Sequence, residues 1–163
     1  MKNSFLIVLG VLFYSVAAFA SDGVYTEESA QSTTVTVSGV DGGAAAEIYD
    51  AIVASGVAPE RDCAGSHVYS NSLFSGRFRF GDHQSSVEIT VDHATSTVAI
   101  AKDDLGTVVT LEGQSAQDLF EVARAAGFSA RLACGAQIVT GKHVDCTHFG
   151  PGSAYDCSIR LDN

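Results

Sequence analysis

Cys146 and Cys157 flank a Gly-Pro-Gly turn near the C-terminal end of the chain, and His143 and His148 lie close to the first of them. Residues of these types could hold a zinc ion, could form a catalytic thiol with its base, or could close a hairpin with a disulfide. Structural zinc sites usually show spacings such as Cys-x-x-Cys, which this segment lacks. On a strand, His143 would also face the opposite side from Cys146. The pattern therefore favours the disulfide, and we expect no metal.

The turn decides which residues of this hairpin face each other. Cys146 stands five residues before Pro151, and Cys157 stands five residues after Gly152, so a turn centred on Pro151 and Gly152 places the cysteines opposite each other. Facing residues of an antiparallel pair are close enough for a disulfide. A catalytic Cys–His pair is not expected, because an oxidised thiol is no nucleophile.

The sequence leaves the pairing of the four cysteines open. The favoured pattern joins Cys146 to Cys157 and Cys63 to Cys134. A hairpin that turns at residues 140–141 would instead bring Cys134 close to Cys146 and leave Cys63 for Cys157. The third pairing pattern and free thiols are the remaining alternatives.

A segment of alternating arginine and phenylalanine is a candidate contact site. Arg77 and Arg79 share one face of a predicted strand, and Phe78 and Phe80 share the other. We expect the phenylalanine face to belong to the core. The arginine face is then a surface patch for an acidic partner. The Asp-His pairs at 82–83 and 92–93 are interpreted as solvated turn residues, because turns favour such polar groups.

An internal repeat supplies the elements that position these residues. The segments 35–57 and 109–128 both contain an alternating strand, a glycine and then an amphipathic helix. At a constant offset of 71, matching residues are Ala45 and Ala116, Ile48 and Leu119, Tyr49 and Phe120, Ile52 and Ala123, Gly56 and Gly127, and Cys63 and Cys134. We expect these helix positions to face the core. Asp41 and Ser115 are candidate helix caps, and Gly56 and Gly127 are candidate stops.

Each repeat continues beyond its helix with short segments typical of strands. The sequence therefore predicts the α+β class, as a two-layer sandwich in which two helices cover one antiparallel sheet. It is built from a tandem βαβββ-like repeat, with copies at 33–96 and 97–163 inside a single domain, 33–163. Residues 21–32 are rich in Ser and Glu and are expected to form a flexible leader.

The first twenty residues are typical of a secretory signal peptide. Lys2 precedes the apolar run 5–20, which ends in Ala-Phe-Ala, a pattern that favours cleavage. We therefore expect export to a periplasm or to the extracellular space, where disulfides form. The chain has 163 residues and a formal net charge of −10. So acidic a chain argues against nucleic acid as a partner.

Two resemblances follow from these residues. The segment 106–128, with a turn glycine, a Val-x-Leu-x-Gly strand end and a helix closing on glycine, resembles the start of a BON domain. That resemblance implies a periplasmic protein in contact with the outer membrane or lipid. The helix motif at 113–120 and the hairpin at 146–157, with a looser first copy at 43–49, resemble small secreted proteins of Gram-negative bacteria. This second resemblance implies no activity.

No set of catalytic residues stands at a recognisable spacing in the sequence. We therefore expect an exported, disulfide-stabilised protein-binding module that is not an enzyme, needs no cofactor and binds a protein whose identity the sequence leaves open. One alternative is a small extracytoplasmic hydrolase, in which His83, His93 or His143 meets a carboxylate in a pocket. A second alternative is an envelope-associated structural domain of the BON type, which would contact the membrane.

Overall fold

Twelve strands and two helices make up the part of the chain that the structure describes. The computed structural model describes residues 23–57, 59–63, 66–70, 74–79 and 83–162, with the backbone alone for 59–63 and 66. Residues 23–92, called unit one, contain β1 Gly23–Glu28, β2 Ser32–Val40, α1 Ala44–Ala54, β3 Pro59–Cys63, β4 Ser66–Ser70, β5 Phe74–Arg79 and β6 Gln84–Asp92. Their six strands form an antiparallel sheet in the order β1-β2-β6-β5-β4-β3.

Residues 96–162, called unit two, follow the same order of elements. They contain β7 Ser96–Asp103, β8 Gly106–Gly113, α2 Gln114–Ala125, β9 Ser129–Ala133, β10 Ala136–Thr140, β11 Val144–His148 and β12 Tyr155–Asp162. The second antiparallel sheet has the order β7-β8-β12-β11-β10-β9. Each helix follows the second strand of its unit, so every element of unit one has a counterpart in unit two.

The α+β class expected from the sequence is confirmed, but the single sheet is wrong. Two six-stranded sheets form, and each unit runs ββαββββ rather than βαβββ. Strand β7, at the start of unit two, pairs with β8 along its whole length. A tight turn favours this hairpin, because the carboxylate of Asp103 accepts the backbone N–H of Leu105 at 2.8 Å and of Gly106 at 3.1 Å.

The flexible leader expected at 21–32 is wrong for residues 23–28, which form the edge strand β1. Its backbone pairs with β2 from Gly23 opposite Ser38 to Glu28 opposite Thr33. An edge strand leaves N–H and C=O groups without partners, and β1 supplies partners to one edge of β2. Most side chains of β1 are exposed, so its polar composition gives little sign of this pairing. The signal peptide expected at 1–20 lies outside the described residues.

One apolar core joins the two units. In β2, Val35 and Val37 are fully buried and alternate with half-buried threonines, as the sequence predicts. Helix α1 packs on β2, β5 and β6, helix α2 packs on β8, β10, β11 and β12, and the two helices contact each other. The helix positions expected to face the core are all buried: Ala45, Ile48, Tyr49, Ile52, Ala116, Leu119, Phe120 and Ala123.

The helix stops are confirmed. Gly56 and Gly127 lie just beyond α1 and α2 with φ angles of 87° and 83°, a conformation that glycine adopts without steric conflict.

The helix caps expected from the sequence are wrong. Helix α1 begins after Gly43 and helix α2 after Gly113, and neither helix has a side-chain hydrogen bond at its cap. Asp41 instead contacts His83, while Ser115 lies inside the first turn of α2. The Ser115 hydroxyl is buried between the units, where it donates to the carbonyl oxygen of Thr90 in β6 at 3.3 Å.

Glu47 of α1 binds unit two directly. Its carboxylate accepts the backbone N–H of Lys142 at 2.5 Å and of His143 at 2.6 Å. The Nε2 of His143 lies 3.1 Å from the carbonyl oxygen of Gly42, and this distance fits an N–H donated by the ring. A Cβ at Gly141 would collide with the Glu47 side chain, so the close approach depends on glycine at this position. These contacts fix the loop between β10 and β11 against the start of α1.

We expect Glu47→Gln to lower the free energy of unfolding by about 1–3 kcal/mol, because the amide group cannot accept both backbone N–H groups as well as a carboxylate does. Urea denaturation of the oxidised protein measures the change. Glu121→Gln on α2 is the matched control, since Glu121 forms an exposed ion pair with Arg124 and such pairs contribute about 0–1 kcal/mol. Equal effects of the two substitutions would contradict the role given to Glu47.

Candidate functional site

The disulfide predicted in the C-terminal hairpin is confirmed. Cys146 of β11 stands directly opposite Cys157 of β12, and the two sulfur atoms are bonded. Both residues are fully buried, and they lie among the core residues under α2. Neither sulfur is therefore a thiolate that can bind zinc or attack a substrate.

The predicted Cys63–Cys134 disulfide is wrong, because Cys134 is a free, exposed thiol in the structure. Cys134 and Gly135 form the two-residue turn between β9 and β10, with φ angles of 53° and 82°. Positive φ at both central residues is typical of a tight hairpin turn, and it places Cys134 at an exposed tip. Cys63 ends β3, the equivalent edge strand of unit one, and its side chain lies outside the described residues.

The two arginines of the predicted contact patch lie where the sequence places them. Arg77 and Arg79 are exposed on the outer face of β5. Phe78 between them is half-buried and faces α1, where its ring lies 5.9 Å from that of Tyr49. Phe80 lies outside the described residues. The contact role of Arg77 and Arg79 stays a prediction.

The three histidines considered for a hydrolase occupy separate positions. Nδ1 of His83 lies 3.0 Å from a carboxylate oxygen of Asp41, and both side chains are more than half exposed. Nε2 of His93 lies 2.8 Å from the hydroxyl of Thr33. Nε2 of His143 is within hydrogen-bond distance of the carbonyl oxygen of Gly42. These contacts do not bring the histidines together into one catalytic group.

A concave pocket of about 250 Å³ opens beside the start of α1. We call it the unit-one pocket. It is lined by Asp41, Gly42, Ala46, Tyr49, Asp50, Phe78 and Ser85. The lining combines the rings of Tyr49 and Phe78 with two carboxyl groups and the hydroxyl of Ser85. Its volume is below the range usual for drug-sized ligands, so it suits a single side chain or a small ion.

An unpartnered hydroxyl group marks the pocket. Ser85 is 2 % exposed, and its Oγ has no hydrogen-bond partner among the described residues. Ser38 and Asp118 also carry a buried atom of this kind, but neither lines the pocket. A buried hydroxyl without a partner is unfavourable, because it has lost its bonds to water. The Ser85 Oγ is itself covered by protein, so a ligand in the pocket would reach it only through rotation of the Ser85 side chain toward the opening.

In unit two, an aromatic side chain occupies the position that is equivalent to Ser85. Ser85 of β6 stands opposite Phe78, and its counterpart in β12, Tyr155, stands opposite His148. The rings of Tyr155 and His148 are stacked, with centroids 4.0 Å apart and an interplanar angle of 4°. Tyr155 also contacts Phe120 of α2 at 5.3 Å. Unit one has serine where unit two has this tyrosine, and the pocket lies at that position.

The electrostatics of the pocket favour a positive ligand. Partial burial, and then the nearby Asp41 carboxylate, raise the pKa of Asp50 above its usual value. Burial, followed by the charges of Tyr69 and Asp50, raises the pKa of Tyr49 to about 12, so its hydroxyl is neutral at pH 7. A bound cation would relieve the repulsion between the two carboxylates of Asp41 and Asp50.

Comparison with known protein families, with curated proteins and with solved structures finds no match to this chain. The segment 106–128 does fold as a strand followed by a helix, but membership of the BON family stays a prediction. Within the described ranges, no cluster of three or more His, Cys, Asp or Glu residues is placed to hold a metal ion. The helices in those ranges are too short or too polar to cross a membrane.

The unit-one pocket is not predicted from the sequence. The sequence predicts a helix cap at Asp41 and a core position at Tyr49, and it indicates no role for Ser85. A usable signal was present, because the repeat aligns Ser85 with Tyr155 at an offset of 70, the offset of the final strands. A small polar residue in place of a large aromatic one at a core-facing position indicates a cavity.

We expect removal of the disulfide by Cys146→Ala with Cys157→Ala to lower the free energy of unfolding by about 2–3 kcal/mol, since the bond closes a short loop. Chemical denaturation measures the change. Cys134→Ser is the matched control and should change the stability by less than about 0.5 kcal/mol, because Cys134 is free and exposed. A large loss from Cys134→Ser would show that this thiol is bonded after all.

We expect Ser85→Ala to raise the free energy of unfolding by about 1 kcal/mol, because it removes a buried hydroxyl without a partner. Thermal and urea denaturation measure the change. Ser86→Ala, at the next position and on the other face of β6, controls for the lower strand preference of alanine. A loss of stability that is larger for Ser85→Ala than for Ser86→Ala would contradict the description of Ser85 as unpartnered.

Proposed function

We propose that this protein is an exported, disulfide-stabilised binding module without catalytic activity, and that a partner protein inserts a side chain into the unit-one pocket. The observation that carries the proposal is the Ser85 hydroxyl, which is buried and has no hydrogen-bond partner in the described part of the chain, at a position that Tyr155 fills in unit two. In a binding site, a buried hydroxyl can be kept without a protein partner so that it bonds to the ligand. In a purely structural core, such a hydroxyl is normally hydrogen-bonded to the protein or is replaced by an apolar side chain.

The disulfide supports export. A buried Cys146–Cys157 bond is compatible with an oxidising compartment, such as a periplasm or the extracellular space. The signal peptide expected at 1–20 would direct the chain there. The acidic composition agrees with a protein partner rather than nucleic acid, because binding to phosphate groups needs clustered lysine and arginine.

A tandem repeat accounts for the two-unit structure. The two sheets have the same strand order, and each helix carries an aromatic residue, Tyr49 or Phe120, against its own sheet. We infer that the two copies then took different roles. In this interpretation, unit two keeps the filled aromatic site and gains the disulfide, while unit one has the open pocket.

The contacts of His83 argue for binding rather than hydrolysis. His83 and Asp41 form a hydrogen-bonded pair near the pocket, which resembles part of a catalytic triad. A triad also needs a nucleophile bonded to the histidine, and the Ser85 hydroxyl has no such bond. The pair is also largely exposed, whereas an acid–base pair gains from exclusion of water. The envelope-associated alternative remains a separate prediction.

We expect Ser85→Tyr to abolish capture of the partner, because the new ring would occupy the pocket as Tyr155 does in unit two. The experiment is a pull-down from envelope and culture fractions with the oxidised protein, and the captured proteins are compared between variants. Ser86→Tyr is the matched control, since it adds the same ring on the other face of β6. Partners that are lost with Ser85→Tyr and retained with Ser86→Tyr support the proposal. Identical capture by both variants would show that binding does not use the pocket.

A further inference from the structure

The unit-one pocket, or slot, lies at the position where unit two holds a flat ring. In unit two, the ring of Tyr155 lies parallel to His148 and packs against Phe120. In unit one, Phe78 and Tyr49 occupy the positions of His148 and Phe120, while Ser85 leaves the third position open. A planar group of the size of one side chain can therefore stack on Phe78 and contact Tyr49 without a rearrangement of the backbone.

The polar groups of the slot accept hydrogen bonds. The carboxyl groups of Asp41 and Asp50 line it, and the lone pairs of the Ser85 hydroxyl have no donor among the described residues. A ligand that carries several N–H groups in one plane fits this set, since it can stack and donate at the same time. Tyrosine, the group that fills unit two, has only one O–H to donate.

The basic side chains close to the slot contact its outer parts. Nζ of Lys142 lies 3.4 Å from the carbonyl oxygen of Gly42, and His83 contacts Asp41. Neither Lys142 nor His83 lines the pocket, and the guanidinium of Arg77 lies on the other face of β5 from Phe78. Among the described residues that line the pocket there is no basic side chain, so Asp50 has no cationic partner within that set.

We propose that the unit-one pocket binds the guanidinium group of an arginine side chain on the partner protein. The inference rests on the proposed binding function and names the group that the pocket recognises. The guanidinium plane stacks on Phe78, and its N–H groups donate to the carboxylate of Asp50 and, after rotation of the Ser85 side chain toward the opening, to its hydroxyl. Asp41 adds negative charge at the opening.

Arginine fits better than the other candidate side chains. Lysine carries a charge but no plane, so it cannot stack over Phe78 while it donates in several directions. An aromatic side chain can stack but leaves the carboxylate of Asp50 without a cation. Guanidinium is also less strongly hydrated than an ammonium group, so its transfer from water into an aromatic slot is less unfavourable.

The test is titration of the oxidised, isotope-labelled protein with blocked pentapeptides, followed by the backbone amide signals of Gly42, Asp50 and Ser85. The peptides are Gly-Ser-Xaa-Ser-Gly, with arginine, lysine, citrulline or tyrosine at the central position. We expect the arginine peptide to shift these signals in a saturable way. Binding should be about fivefold weaker with lysine and about tenfold weaker with citrulline, which is planar but uncharged.

Two pairs of variants separate the pocket from general attraction to an acidic protein. Asp50→Asn should weaken binding of the arginine peptide by about tenfold, because it removes the charged acceptor. Asp156→Asn removes one charge from β12 of unit two and should change the affinity for the arginine peptide by less than about twofold. Ser85→Tyr should abolish the signal changes, while Ser86→Tyr should retain them.

The outcomes distinguish this inference from the proposed function. Equal binding of the arginine and citrulline peptides, or unchanged binding to Asp50→Asn, would overturn the arginine inference. If the tyrosine peptide alone shifts the three signals, the arginine inference is wrong and the proposed binding function stands. If none of the four peptides shifts them, the arginine inference is again wrong. The proposed function fails with it if Ser85→Tyr also captures the same partners as the unsubstituted protein.

Discussion

Each helix carries one large aromatic side chain, Tyr49 in α1 and Phe120 in α2, that must be buried against the sheet of its own unit. The rest of the structure depends on which side chains of the sheet bury it. Phe120 of α2 is covered by Tyr155 and His148, and the disulfide lies in the same hairpin. Tyr49 of α1 is covered by Tyr69 and Phe78, and a pocket lies beside it. Burial of the helix aromatic residue is therefore achieved in two ways. In unit two the sheet fills the space beside Phe120 with a ring and carries a disulfide, and in unit one an acidic pocket stays open beside Tyr49.

Features that depend on local spacing could be predicted from the sequence. The buried faces of both helices follow from residues that recur at helical spacing, such as Ile48 and Ile52, because one side of the helix must lie against the core. The stops at Gly56 and Gly127 follow from the need for positive φ. The disulfide between Cys146 and Cys157 follows from the turn between them, which sets the register.

Features that depend on distant parts of the chain could not be predicted in the same way. Strand β1 forms because its backbone pairs with the free N–H and C=O groups along the edge of β2. This pairing does not depend on side-chain type, so the polar side chains of residues 23–28 do not predict it. The cysteine at 134 predicts a disulfide by its residue type. The backbone instead places Cys134 at the exposed tip of a tight turn, a position that usually carries Asn, Asp or Gly. The unit-one pocket joins Asp41, Asp50 and Ser85 from separate elements, and only the packing of α1 on its sheet brings them together.

The most direct test of this account is a high-resolution crystal structure of the oxidised protein soaked with arginine amide at millimolar concentration. The account predicts flat electron density stacked on Phe78, with nitrogen atoms within about 3.2 Å of the Ser85 hydroxyl and the Asp50 carboxylate. The opposite result would be a pocket closed by the protein itself, with Phe78 packed fully onto Tyr49 and the Ser85 hydroxyl bonded to a neighbouring protein group. That result would remove the basis for a binding site in unit one.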